Sequence, residues 1–282
     1  MSEMYLVGYQ GETGPLVGFE EDGCLYSLEM ATPTLDYLLA NVPATELIGQ
    51  LRAARGAEVT DAVPVAPTHL QEIWAAGVTY KTSEEARERE SDNSTIYTRV
   101  YSAERPEIFM KAMGYDVVSS GEPAGIRRDA TWSVPEPELT LVINRHMELI
   151  GFTVGNDMSS RDIEGANPLY LPQAKVYDAS CALSPRIWLQ PGATQWPDVT
   201  IQVRIERAGQ TMFAGQTNTG QIKRTLAELV EYLGRCKSFR HGVLLMTGTG
   251  VVPPDEFTLL AGDTVAITIE PIGQLVNEIK LV

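Results

Sequence analysis

Pro135-Glu136-Pro137-Glu138-Leu139-Thr140-Leu141-Val142-Ile143 is the stretch on which the fold turns, because it reads as a strand that begins in two carboxylates. Alternate side chains of a strand leave by the same face, so Glu136 and Glu138 project together while Leu139, Leu141 and Ile143 pack behind them. Two like charges that close are costly unless a cation joins them. A second strand, Leu149-Ile150-Gly151-Phe152-Thr153-Val154-Gly155, ends in Asn156-Asp157, and its exit delivers a third oxygen ligand to the same region. Three carboxylates suit a hard divalent ion such as Mg²⁺. Taken singly, each piece has a plainer reading: an acidic pair at a strand's start is a solvated edge, and a lone Asp is a turn residue or a helix cap.

Working outward, the composition bounds the partners. A chain of 282 residues with 44% apolar content buries a full core as one large domain, or as a large domain with a small appendage. A net charge of −15 and a pI near 4.7 argue against nucleic acid and anionic membranes, both of which require a basic surface. An anionic substrate therefore needs local help from a metal, Lys or Arg. The three cysteines, Cys24, Cys181 and Cys236, are odd in number and scattered, which points to reduced thiols and a cytoplasmic location rather than a disulfide framework or a zinc site. Neither a signal-peptide pattern nor an apolar run of membrane-spanning length is present, so no membrane partner is expected.

From Met4 to Met30 the alternation predicts an antiparallel meander with Gly and acidic residues at its turns. Thr34 caps a predicted helix through Leu35, Leu38, Leu39 and Val42; Leu47, Ile48 and Leu51 continue helically, and Gly56 is expected to end the run. The Pro-rich, extended segment Asp61–Pro67 marks a boundary between a small α/β N-terminal domain over residues 1–66 and a main domain over 67–282. Ile73 to Tyr80 reads as a buried strand. The charged stretch Lys81 to Asp92 reads by itself as a solvated helix with ion pairs three and four apart.

The combination E-x-E-L (Glu136 to Leu139), then G-F-T-x-x-N-D-x-S-x-R-D (Gly151 to Asp162), then Lys175 followed by Cys181-Ala182-Leu183-Ser184-Pro185, resembles the fumarylacetoacetate hydrolase family from about residue 70 onward. The resemblance implies an α+β fold with a β-rich, mixed-sheet catalytic domain. It also implies Mg²⁺ or Mn²⁺ held by Glu136, Glu138 and Asp157, Lys175 beside the oxo-acid group, and a homodimer or homotetramer. In that family the segment after G-x-N-Y is a lid whose His and Glu activate water. Here those positions are Ser83 and Ala86, and Thr79 replaces the Asn. A serine has no useful basicity near neutral pH unless another group takes its proton, so the hydrolytic pair is missing. The Gly77-Val78-Thr79-Tyr80 run and lid serine are similar instead to the branch that dehydrates 2-keto-3-deoxy sugar acids.

That branch implies a glutamate near the substrate at Glu107, within Pro106-Glu107-Ile108-Phe109-Met110-Lys111; Phe109 reads as core, and Lys111 either as an ion-pair partner for the acidic cluster or as a group with a chemical role. Arg161 and Asp162 are expected to pair and fix the turn that presents Asp157. Tyr170 and Gln173 offer hydrogen bonds to a polyol, or else packing and turn roles. Thr247-Gly248-Thr249-Gly250 resembles the family's T-G-T-P, which places Thr249 on the substrate carboxylate. The three histidines match no ligand spacing.

The expected reaction is loss of water from a small anionic 2-oxo acid, 2-keto-3-deoxy-D-arabinonate or -xylonate, to give 2,5-dioxopentanoate. Glu107 or Lys175 takes the C3 proton and Ser83 assists the leaving hydroxyl. The alternatives are an acylpyruvate hydrolase, an oxo-diacid decarboxylase or isomerase, and a non-catalytic oxo-acid binder. Because Ser83 and Ala86 replace the water-activating pair, acylpyruvates incubated with Mg²⁺ should release no pyruvate in a lactate-dehydrogenase-coupled assay; steady release would contradict the loss of that chemistry.

Overall fold

The computed structural model describes residues 3–81 and 100–282, and its N-terminal end folds as the alternation predicts. β1 (Met4–Gln10), β2 (Pro15–Glu21) and β3 (Cys24–Leu28) pair antiparallel in sequence order. The Thr34 hydroxyl accepts from the Tyr37 N–H and caps α1 (Leu35–Asn41), and α2 (Leu47–Ala53) follows. Gly56, expected to stop the helix, lies instead inside β4 (Arg55–Glu58), because the chain turns at Ala54 and pairs with β3.

β5 (Glu72–Gly77) enters the centre of the molecule and β6 (Glu107–Met113) pairs with it. The strand expected through Tyr80 stops at Gly77, since Val78 takes φ 51° and breaks the extended run. Three short strands come next, β7 (Val118–Ser119), β8 (Ala124–Ile126) and β9 (Ser133–Val134). β10 (Pro137–Ile143) and β11 (Leu149–Asp157) form the central hairpin. β12 (Ser159–Ser160), α3 (Arg161–Ala166), α4 (Leu171–Lys175), β13 (Cys181–Leu183) and β14 (Arg186–Leu189) complete this region. The C-terminal third holds the hairpin β15 (Thr200–Arg207) and β16 (Gln210–Asn218), then α5 (Leu226–Gly234) capped by Thr225, then β17 (Val243–Met246), β18 (Thr264–Ile269) and β19 (Gly273–Leu281).

Twelve strands make one mixed sheet in the order β4-β3-β2-β1-β14-β11-β10-β17-β5-β6, with β13 on β11 and β7 on β13. Five more, β16-β15-β18-β19-β8, make a second sheet. Between the two sheets lies one apolar cluster containing Leu139, Leu141 and Ile143 with Val203, Ile205 and Ile267. A second cluster joins Val142, Ile150 and Leu244 to Leu38, Leu47 and Phe19 of the first 66 residues, and β1 pairs with β14 across the same span. β10 and β11 are therefore buried on both faces along their whole length, which fixes their register, since a one-residue slip would turn carboxylates into either cluster.

Close packing leaves no space at Gly151, where an added Cβ would lie 2.2 Å from the Trp188 carbonyl oxygen on β14. Gly151→Ala should cost about 1–3 kcal/mol, measured by urea unfolding. An unchanged midpoint would contradict the β11–β14 contact.

Candidate active site

The convergence of the acids follows from the register of the central hairpin. Pro137 faces Asn156 and Glu138 faces Gly155. One position further out, the Glu136 carbonyl accepts from the Asp157 N–H at 3.0 Å, so Glu136 and Asp157 are cross-strand partners and Glu138 lies one pleat along on the same face. The Asn156 Oδ1 accepts from the Glu136 N–H at 3.1 Å and holds the strand entry. Glu136, Glu138 and Asp157 are all buried, and each offers a carboxylate oxygen within 4.8 Å of the others.

Three cations meet them. Lys175, at the end of α4, donates from Nζ to Glu136 Oε2 (2.8 Å), Asp157 Oδ2 (3.0 Å) and Ser159 Oγ (2.6 Å). Lys111, on β6, is fully buried, with Nζ 2.6 Å from Asp157 Oδ1. That contact is an ion pair outside hydrogen-bonding angles, while the ammonium donates to the Met158 carbonyl at 2.9 Å and to the Lys175 carbonyl. Arg161, at the start of α3, reaches Glu136 Oε1 at 3.0 Å. Glu138 accepts only a neutral donor among the bonds described, the Gly248 N–H at 2.6 Å. Burial, reinforced by the Asp157 and Glu136 carboxylates, holds its carboxyl well above the ordinary range, against the opposing pull of Lys175 and Gly248. A hard divalent cation relieves that repulsion, and an all-oxygen set this close suits Mg²⁺, so the residues fit the ion.

The carboxylates form the floor of a cavity that Glu107, Glu164, Lys175 and Thr249 also line. Glu107 lies against the backbone of Gly77, where an added Cβ would sit 2.1 Å from Oε2. Phe109 packs on the second apolar cluster and also lines the cavity, its ring centre 5.8 Å from Lys175 Nζ. Thr249 is buried, and its hydroxyl donates to the Val251 carbonyl at 3.0 Å. Gly250, where the family pattern has proline, would place a Cβ 2.4 Å from Tyr80 Cδ1, so the Tyr80 ring fills the room that a proline would need.

Tyr170 and Gln173 stand apart: both are exposed and neither lines the cavity. Ser83 and Ala86 lie outside the described residues. The expected Arg161–Asp162 pair is replaced. Asp162 accepts from the Thr131 N–H and hydroxyl and from the Ile163 N–H, because the helix start turns the two side chains to opposite sides and sends Arg161 to Glu136. Glu164 was not singled out in the sequence, although its place three residues after Arg161 puts it on the same helix face.

Residues 72–280 match the family described as Fumarylacetoacetate (FAA) hydrolase C-terminal. The chain belongs to the fumarylacetoacetate hydrolase family. Within curated proteins it is 46% identical over 216 residues to a probable 2-keto-3-deoxyxylonate dehydratase of Haloferax volcanii, covering 77% of this chain and 74% of that one. It is 38% identical over 230 residues to 2-dehydro-3-deoxy-D-arabinonate dehydratase of Saccharolobus solfataricus, covering 79% and 76%. Among solved structures, a 2-keto-3-deoxy-D-arabinonate dehydratase complexed with magnesium and 2,5-dioxopentanoate superposes with a TM-score of 0.85 at 30% identity, over 99% of both chains. The mixed-sheet, strand-rich architecture of this family member is thus that of the dehydratase.

Because the Glu138 carboxyl is held high, Mg²⁺ binds in competition with a proton. The Mg²⁺-induced rise in melting temperature should grow as pH increases, shrink as pH falls toward the ordinary carboxyl range, and disappear in Glu138→Gln. A rise independent of pH and retained in that variant would contradict the assignment.

Proposed function

We propose that this chain is a Mg²⁺-dependent hydro-lyase that converts a 2-keto-3-deoxy pentonate, the arabinonate or xylonate, to 2,5-dioxopentanoate. The observation that carries the reading is the cavity in which the buried Glu136, Glu138 and Asp157 meet Glu107 and Lys175. The printed activities of the two dehydratase relatives, and the ligands of the superposed structure, support the substrate class.

Glu136, Glu138 and Asp157 would hold Mg²⁺, which when bound supplies Lewis-acid polarisation of the substrate's 2-keto group. Lys175 offsets the negative charge of the oxo acid. Its three ammonium protons are each directed to an oxygen, on Glu136, Asp157 and Ser159, which leaves Glu107 as the group to take the C3 proton. The C4 hydroxyl then departs as water, with Ser83 as the residue that helps protonate it, and the enone left across C3 and C4 tautomerises through the C4–C5 enol to the C5 aldehyde of 2,5-dioxopentanoate. Thr249 would bind the substrate carboxylate by turning its hydroxyl proton away from the Val251 carbonyl. Tyr170 and Gln173, on the surface, take no step in this scheme. The three cysteines are unpaired, which supports a reducing, cytoplasmic setting.

Both pentonates should yield 2,5-dioxopentanoate with Mg²⁺ and none with chelator. Glu107→Gln should lower kcat by about 10²–10⁴-fold while keeping the Mg²⁺-induced rise in melting temperature. Turnover undiminished in that variant would reject Glu107 as the base, and no aldehyde from either pentonate would reject the dehydratase reading.

A further inference from the structure

Gly77-Val78-Thr79 carries the chain out of β5, and Val78 takes φ 51°. A β-branched residue enters that left-handed region only when its surroundings force it there. Both neighbours supply the force. Gly77 is pressed on the Glu107 carboxyl. Thr79 is tied by its hydroxyl to the Thr247 carbonyl at 2.6 Å, against Gly248, where an added Cβ would lie 2.1 Å from Thr79 Oγ1.

The strained residue is buried, but it stands outside the two apolar clusters of the described residues. Val78 is 8% exposed, yet it belongs to neither apolar cluster, nor to the partly buried residues packed on them. It lines the cavity instead, beside Glu107, Glu138, Lys175 and Thr249. Phe109 is the other large apolar side chain on that wall, and Phe109 also packs on a cluster. Val78 thus stands among acids, cations and hydroxyls, at a cost in backbone strain and, among the described residues, outside either apolar cluster.

A 2-keto-3-deoxy acid differs from the corresponding 2-keto sugar acid at one carbon: C3 is a methylene. We propose that Val78 is a specificity-determining residue whose side chain packs against that methylene, beside Glu107, and disfavours acids with a hydroxyl on C3. A hydroxyl pressed on the isopropyl group gives up its bond to water with no replacement, whereas a methylene loses nothing. This rests on the dehydratase reading above, and it adds to that reading the feature by which the site selects its substrate.

The test is calorimetric binding of two five-carbon 2-keto acids, alike except for a C3 hydroxyl, to the Mg²⁺-loaded full chain carrying Glu107→Gln to stop turnover. With Val78 present, the 3-deoxy acid should bind about tenfold more tightly or better. Adding Val78→Thr, which keeps the branched shape and offers a hydrogen-bonding partner, should bring the two acids to within about threefold. Val78→Gly, which removes the side chain and adopts φ above zero freely, should weaken the 3-deoxy acid about tenfold while keeping the Mg²⁺-induced rise in melting temperature. Equal binding of both acids, a preference unchanged in Val78→Thr, or undiminished binding of the 3-deoxy acid in Val78→Gly overturns the proposal and leaves the dehydratase reading standing. Binding of neither acid overturns that reading and the proposal together.

Discussion

Three carboxylates within 4.8 Å of one another in a buried cleft repel strongly, and most of the site's construction answers that repulsion. At about 4 Å and an effective dielectric constant near 20, each like-charge pair costs on the order of 4 kcal/mol, so three such pairs approach the whole stability of an ordinary domain. Lys111, Lys175 and Arg161 supply the compensation from β6, α4 and α3. A lysine as deeply buried as Lys111 is rare unless paired, and here it ties Asp157 to the carbonyls of Met158 and Lys175. Among the described residues Glu138 shows no ion pair and accepts the Gly248 N–H, and its carboxyl is held well above the ordinary range by burial and by Asp157 and Glu136, a repulsion that a divalent ion would relieve.

The same electrostatics explains why the site sits on the central hairpin. Strands β10 and β11 are buried on both faces and held in one register by two apolar clusters, so the ends from which Glu136, Glu138 and Asp157 project cannot spread to relieve their repulsion. Catalytic and binding geometry is held best on such rigid elements. The N-terminal strands extend this sheet through β1 and β14 and stiffen it from the far side. The described lining of the cavity carries five carboxyl groups, Glu107, Glu136, Glu138, Asp157 and Glu164, against Lys175 and Arg161, so a bound divalent ion is what would make it attractive to an anion.

Much of this was legible in the sequence wherever the contact was local. The period-two alternation from Glu136 to Ile143 and the short connection to Leu149 place the two strands side by side, and antiparallel pairing then brings Asp157 opposite Glu136. The Thr34 cap follows from an equally local signal. What escaped depends on distant packing or on a single dihedral angle. Arg161 could be matched to its neighbour Asp162 by sequence alone, but α3 aims it across the site at Glu136. Glu164 reads as one more helical acid until α3 is seen to lean over the cavity. Val78 reads as a strand valine, because nothing in Gly-Val-Thr-Tyr announces φ 51°. Tyr170 and Gln173, adjacent in sequence to Lys175, turn outward because α4 buries Ala174 and Lys175 on its other side.

The central claim is that one divalent ion joins the two strands through three side chains. Crystals grown with Mn²⁺ and recorded at the manganese edge test it most directly. A single anomalous peak, within about 2.0–2.3 Å of one oxygen each from Glu136, Glu138 and Asp157, is the predicted result. A peak that touches fewer than three of these residues, or none at this site with Mn²⁺ in excess, would contradict it.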